Sequence, residues 1–343
     1  MNLRFSGLLM PAIMMSVAAS TAMAAVDPVL LNLVMPDSTI LTGIQVDASL
    51  ASPFGQYVLS QMQPGDAGFQ KFILSTGFDP TRDLQQVLGA TNGVATNGSS
   101  TNVTATNGTT AAVTFGALAL GRGTFVPSQI LAAAIAQGGI ITAYRGFSII
   151  SEPSSGNSAS NAAIVFLDAT TVAAGNLAMV EGAVDRYIAH ATYSTALGQK
   201  AQQLSVASSA WFVTLTPLSE FLGGKLGGTN LNGLSQNNLL QAVTQASGGV
   251  IFASAAVTVT GDAVTSSAQN AQSLVDVLKF LMSMLPGNDP KLASVAGAAS
   301  FSVIGTTAHL SLTLTEQQAE QLFMPQASKA KKPSADRGRL NRN

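Results

Sequence analysis

Along this chain the spacing of hydrophobic positions switches repeatedly between a step of two and a step of three to four. Residues 39–46 alternate as in a half-buried strand. Ser52-Pro53 then supplies a helix N-cap with proline at the first helical position, predicting a helix through about Met62. Asp79-Pro80 repeats that start and predicts a second helix over 81–88. Residues 113–120 read as a strongly apolar strand, and Pro127 opens a helix over 128–136. Two hairpins follow, one pairing 140–144 with 147–151 about Arg145-Gly146 and one pairing 162–167 with 171–174 about Asp168-Ala169. Helices over 179–187 and 193–204 close this half.

The second half repeats the scheme. A strand over 210–215 ends at Pro217, a glycine-rich loop spans 223–233, and 237–246 reads as a helix. Residues 249–260 form a long strand whose apolar positions change face, which predicts a bulge near Ala255-Ala256. The longest helix is expected over 263–284, with Val264, Ala268, Ala271, Leu274, Val275, Leu278 and Leu281 at three- and four-residue steps. Residues 300–304 and 309–314 pair across Gly305-Thr306, and Thr315-Glu316-Gln317-Gln318 is a capping box that opens a last helix. Hairpins separated by helices imply an α+β chain of two similar lobes, each with antiparallel strands and helices packed on one face.

The first 24 residues change the setting. Arg4, a short apolar run over 8–17 and Ala22-Met23-Ala24 make the three-part pattern of a secretory signal peptide, with the mature chain starting at Ala25. The run is half the ~20 residues a spanning helix needs, and Pro11 interrupts it. The expected organisation is a signal peptide over 1–24, an N-terminal lobe over 25–205, a C-terminal lobe over 206–325 and a disordered basic tail over 326–343. The expected location is periplasmic or extracellular, without an integral membrane span after cleavage.

Composition narrows the chemistry. There is no cysteine, so an exported fold relies on its core without disulfides, and thiol catalysis and thiolate metal sites are excluded. With 47% hydrophobic and 10% charged residues the chain is rich in material for a core. Its net charge of -1 hides an asymmetry. Lys329, Lys331, Lys332, Arg337, Arg339 and Arg342 share the tail with one acid, Asp336. Setting these aside, together with Arg4, leaves nine bases against sixteen acids in the body. The six tail cations are candidate contacts for an anionic envelope component. The tail lacks interleaved aromatic residues, which argues against a nucleic acid partner. Between Ala90 and Ala112 a five-residue Thr-Asn unit starts at Thr91, Thr96, Thr101 and Thr106 and reads as a mobile, low-complexity loop.

Four segments carry a resemblance: Ser52-Pro53-Phe54-Gly55, Gly77-Phe78-Asp79-Pro80-Thr81-Arg82-Asp83-Leu84, Ala210-Trp211-Phe212-Val213 and Ala268-Gln269-Asn270-Ala271. In these the chain resembles a group of exported proteins of Acidobacteria-type bacteria, over most of its length outside the Thr-Asn insertion and the basic tail. The resemblance implies an exported, two-lobed α+β protein and supplies no catalytic residues.

Catalytic constellations are missing from the pattern. The two histidines, His190 and His309, lie in different halves without metal-ligand spacing, and no G-x-S-x-G elbow is present. Gly121-Arg122-Gly123 lacks the third glycine of a dinucleotide loop, and Gly223-Gly224-Lys225-Leu226 has leucine where a phosphate loop needs Ser or Thr; both read as turns. Asp79 and Asp83 suit a helix start, Asp168 a hairpin turn, and Glu181 and Asp185 one helix face. One of Trp211 and Phe212 belongs in the core. The expected function is therefore a non-enzymatic exported binding or envelope-associated structural protein, with no catalytic, cofactor or metal site. The alternatives are a carboxylate-dependent hydrolase, which requires Asp79, Asp168 or Glu181 to share a cleft, and a carrier of an apolar small molecule between the lobes, which requires a dry apolar cleft.

Overall fold

The structure, a computed structural model, describes residues 25–62, 67–93, 101–104, 110–113, 116–151, 162–217, 239–284 and 290–323. The signal segment, the glycine-rich loop at 223–233 and the basic tail lie outside the described residues.

The N-terminal half begins with α1 (Pro28–Asn32), capped by the Asp27 carboxylate, which accepts from the Val29 N–H at 2.7 Å. Then come β1 (Ile40–Gln45), α2 (Val46–Leu50) and α3 (Pro53–Met62), whose Ser52 hydroxyl accepts from the Gly55 N–H at 2.9 Å as the sequence predicts. After α4 (Ala67–Thr76), the helix expected over 81–88 proves to be a single turn, α5 (Pro80–Asp83), leading into β2 (Leu84–Thr91). Leu84, Val87 and Leu88 fit a helical step, but the segment is held between two strands, where Leu88 and Ala90 are buried. Within the Thr-Asn segment, expected to be a mobile loop, β3 (Thr101–Thr104) and β4 (Thr110–Val113) pair as a small separate hairpin. Next come β5 (Ala117–Gly123), α6 (Pro127–Ala136), β6 (Ile140–Tyr144), β7 (Phe147–Ser151), β8 (Ala162–Phe166) and β9 (Thr171–Asn176). Gly121-Arg122-Gly123 thus ends a strand and is not a turn. The β6–β7 turn places Arg145 and Gly146 at φ 48° and 88°, the left-handed pair that a two-residue hairpin demands. Helices α7 (Leu177–Ile188) and α8 (Ala196–Ser205) follow, capped by Asn176 and Thr195.

In the C-terminal half, β10 (Ala210–Thr214) is followed by α9 (Leu239–Ala242), which ends after one turn instead of running to 246. The chain becomes β11 (Val243–Phe252), turns at 253–255, and returns as β12 (Ala256–Thr265). The long bulged strand expected over 249–260 is this hairpin: the change of face near Ala255-Ala256 marks a reversal of the chain. Helix α10 (Ala268–Ser283) starts five residues later than expected, because Ser267 caps it and 263–265 still pair in the sheet. Helix α11 (Pro290–Ala298), β13 (Ala299–Ile304), β14 (Thr307–Thr315) and α12 (Glu316–Phe323) complete the half. The capping box at Thr315 forms, with the Thr315 N–H on Gln318 Oε1 at 2.9 Å.

Among the described residues twelve strands make one antiparallel sheet in the order β13-β14-β12-β11-β10-β1-β2-β5-β9-β8-β7-β6. Outward from the central β1–β10 pair, each half follows the same path. Among the described residues a central strand is joined through helical segments, α2 to α5 in one half and α9 in the other, to a hairpin, β2–β5 or β11–β12. Helix α6, or α10 and α11, then leads to four strands in one half and two in the other, the last of which returns to the hairpin's outer strand, and a helix follows. The register shows which face each half buries. Leu41, Leu88, Leu118, Leu120, Val165, Trp211 and Val213 share one face and pack under α1, α7 and α8. In the C-terminal half Ala308, Leu312 and Leu314 of β14, with Val257 and Ala263 of β12, point to the opposite face, under α3, α10 and α12. The single helical face expected of each lobe describes these main layers, and the two halves use opposite sides of the sheet. Helices α4 and α6, which pack on each other, depart from it by crossing the remaining face of the N-terminal half.

Candidate functional site

The acids singled out from the sequence are spent on separate local tasks. Asp79 Oδ1 accepts from the N–H and hydroxyl of Thr81 at 3.0 and 2.7 Å, capping α5. Arg82 clasps Asp83 through Nε and Nη2, both at 2.7 Å, and Asp83 also accepts the Asp79 N–H at 2.8 Å. The Arg82 hydrogen bonds hold the Asp83 carboxyl below its ordinary value. Asp185 pairs with Arg145 at 2.7 Å and accepts from the Tyr144 hydroxyl. Glu181 lies on the same helix, α7, without joining those groups. Asp168 sits in its turn, accepting from the N–H and hydroxyl of Thr170 at 2.6 and 2.7 Å and from the Tyr187 hydroxyl at 3.1 Å. Burial alone pushes Asp168 up, but these hydrogen bonds outweigh it and its pKa is lowered.

A pH dependence follows for Asp168. Its folded-state pKa lies below the unfolded value of about 3.9, so its stabilisation is complete above that value and disappears as pH falls through the folded one. The Asp168→Asn variant is expected to lose melting temperature less steeply than the parent between about pH 5 and 3. Parallel slopes in thermal melts across that range would refute the assignment.

Trp211 is the core member of its pair, 5% exposed, and Phe212 faces the other way at 42%. His309 Nδ1 lies 2.7 Å from Asp262 Oδ1 across the β12–β14 ladder, and His190 is exposed at the end of α7. Among the described residues no group of three His, Asp or Glu side chains is arranged to hold a metal ion, and no helix is long and apolar enough to cross a membrane.

The arrangement that the sequence reading missed is a cavity of about 250 Å³ beneath α4 and α6. Its floor is the free face of β2, β5, β9 and β8, where Val87, Ala119, Gly121, Val172, Ala174 and Ile164 point outward. A chain of rings walls it: Phe72 and Phe78 meet edge to face with centroids 6.2 Å apart, and Phe78–Phe125 and Phe125–Phe166 each lie at 5.4 Å. Backbone detail places these rings. Gly77 at φ 69° ends α4, and the Thr76 hydroxyl accepts from the Phe78 N–H at 3.2 Å, so the chain doubles back and sets Phe78 against Phe72. At Gly121 a side-chain carbon would stand 2.8 Å from Val172 Cγ1, so glycine keeps the floor low. Among the described residues the wall contains no titratable group. It can exclude water and enclose hydrocarbon, and offers nothing for proton transfer. Ala119, Phe72 and Ile164 are part-exposed and form its mouth. Past Ala119 and Ala174 the floor continues over Gly89 and Thr42 as a shallower recess.

The corresponding place in the C-terminal half is occupied by side chains. There α10 drives Leu274, Val275, Leu278 and Leu281 onto Ala263, Ala308, Phe301 and Val303. Its counterpart α6 carries Leu131-Ala132-Ala133-Ala134 in its middle, of which only Ala133 is buried. Equivalent helices on equivalent strands thus fill one half and leave the other hollow.

The sequence matches no protein-family model and no curated protein. A solved structure shares the fold. Crystal form III of TP0453 superposes with a TM-score of 0.50 at 11% identity, over 87% of this chain and 97% of that one. Crystal forms I and IV give 0.48 and 0.49, at 8% and 10% identity, over the same 87% of this chain and 97% and 96% of theirs. At this identity form III supports the α+β architecture alone.

Proposed function

We propose that the chain is an exported, non-enzymatic protein that binds an apolar small molecule in the cavity beneath α4 and α6. The observation that carries this reading is the cavity's apolar, ring-lined wall, at a position that the second half of the same molecule fills with the leucine and valine side chains of α10. An unfilled apolar hollow sacrifices the packing energy of its lining, and an apolar guest restores it at about 0.8 kcal/mol per buried methylene. The site lies within the N-terminal half, and not between the lobes where a carrier cleft was expected.

Export rests on the pattern from Arg4 to Ala24. It is supported by the residues that follow: Val26 is 2% exposed and donates its N–H to the buried Ser205 hydroxyl at 2.9 Å, so the core begins directly after the A-x-A site. Contact of the tail with an anionic envelope component rests on its six cations alone.

The test is fluorescence of N-phenyl-1-naphthylamine with the chain from Ala25 onward. The expected result is a saturable, one-to-one rise in emission that decanoic acid reverses. A linear, unsaturating response would sink the proposal.

A further inference from the structure

Among the described residues the sheet ends on two edges, β6 and β13, whose outer sides pair with no other strand. Natural edges are blunted by lysine, proline, a bulge or a covering segment, because a row of unpaired N–H and C=O groups is a template for another strand. Among the described residues β13 has none of these defences. Its sequence, Ala299-Ser300-Phe301-Ser302-Val303-Ile304, carries no charge and no proline, and its pairing with β14 runs without a register shift. The two-residue turn at Gly305-Thr306 fixes which groups face out. Ile304–Thr307, Ser302–His309 and Ser300–Ser311 are the hydrogen-bonded pairs of the hairpin, so the N–H and C=O of Ala299, Phe301 and Val303 point away from the sheet. By the same rule β6 presents only Ile141 and Ala143.

Outward residues at a step of two form a self-complementary ladder. A copy laid antiparallel about Phe301 sets Phe301 opposite the partner's Phe301 and Ala299 opposite the partner's Val303, and every outward N–H and C=O of both strands then finds a partner. We propose that β13 is the interface to a second copy of this chain, the two related by a two-fold axis perpendicular to the sheet. The helical layer explains why the occupant is a copy and not a lone peptide. Helix α10 packs mainly over β13 and β14, onto Phe301, Val303 and Ala308. With strands about 4.8 Å apart, two α10 helices placed by that axis run about 10 Å from each other, a spacing at which helices pack. The material for such a contact is present: Phe280 and Met284 of α10 are 62% and 60% exposed, and Ile304 at the end of β13 is 69% exposed. A peptide on this edge would meet the ladder alone, whereas a copy adds a helix contact toward the roughly 1,200 Å² that a stable interface buries. The apolar cavity lies in the other half, so this pairing is independent of it.

The test is sedimentation equilibrium of the chain from Ala25 onward, from micromolar to submillimolar concentration. The expected result is a monomer–dimer equilibrium that goes no further. Ser300 and Ser302 are exposed on the face that α10 leaves uncovered, and the antiparallel register sets each opposite the partner's copy of the other. The double variant Ser300→Lys, Ser302→Lys therefore places like charges opposite one another and should weaken dimerisation at least tenfold. Ser300→Lys with Ser302→Glu places lysine opposite glutamate and should restore it. Circular dichroism melts check that both variants fold. A monomer at every concentration, growth past the dimer as head-to-tail pairing of β13 with β6 would give, or equal affinities for the two double variants would each overturn the assignment.

Discussion

Replacing Trp211 with alanine is expected to cost about 3–5 kcal/mol of unfolding free energy, the range for deleting a buried aromatic side chain. For a chain of this size that lowers the melting temperature by roughly 10 °C. The magnitude follows from position. Trp211 lies on β10, opposite Gly43 of β1 on one side and Gly249 of β11 on the other, so its indole seals the seam where the two halves of the sheet meet. Glycine at 43 is what admits it, because a side-chain carbon there would collide with the indole ring and stand 2.7 Å from Nε1. The converse change, Gly43→Val, should therefore destabilise by overpacking, by about 1–3 kcal/mol. It keeps the molecule's one tryptophan as a reporter, whose emission should move to the red. Phe212→Ala, one residue along on the half-exposed face, should cost only about 1 kcal/mol. Circular dichroism melts of the three variants measure the ranking. Equal losses at Trp211 and Phe212 would mean that the seam is not the anchor the register makes it.

The same seam shows what could be read from the sequence. That Trp211 or Phe212 would be core follows from alternation, but their order depends on which face α1, α7 and α8 cover, a fact of tertiary packing. Helix starts marked by Ser52, Asp79 and Thr315 were legible because each cap is a local hydrogen bond. Residues 84–88 and 243–246 were misread as helix because leucines and valines at three- and four-residue steps also satisfy a strand buried on one side, and only the neighbouring strands decide. The β11–β12 hairpin hid behind an Ala-Ser-Ala-Ala turn that lacks Gly, Pro, Asn and Asp. The cavity was the least legible feature. Its walls come from residues 72 to 174, each of which reads as an ordinary core position. What makes the site is missing volume, and the sole trace of it in the sequence is the alanine run in α6 where α10 has leucines.

That missing volume yields the second large effect. Ala119 sits at the mouth of the cavity on the outward face of β5, opposite Gly89 of β2 and Ala174 of β9. A phenylalanine there has open space above it and small neighbours beside it, so its ring should swing into the hollow against Phe125 and Phe166 and occupy the volume an apolar guest needs. The Ala119→Phe variant is expected to bind N-phenyl-1-naphthylamine at least tenfold more weakly than the parent. Its melting temperature should be equal or higher, since filling an apolar void regains contacts that the empty lining lacks. This pairing of lost binding with unimpaired stability separates a ligand site from a packing defect. A defect predicts higher stability with no probe binding to lose, whereas binding at some other surface predicts that probe affinity survives the plug. A matched change in the other half, Leu274→Ala in α10, removes a side chain 5% exposed at the equivalent place and should cost about 2–5 kcal/mol. If the created hollow then takes up the probe as the natural one does, the difference between the two halves reduces to volume at one position, and α6 with its short side chains is the element that turned a repeat of the fold into a binding site.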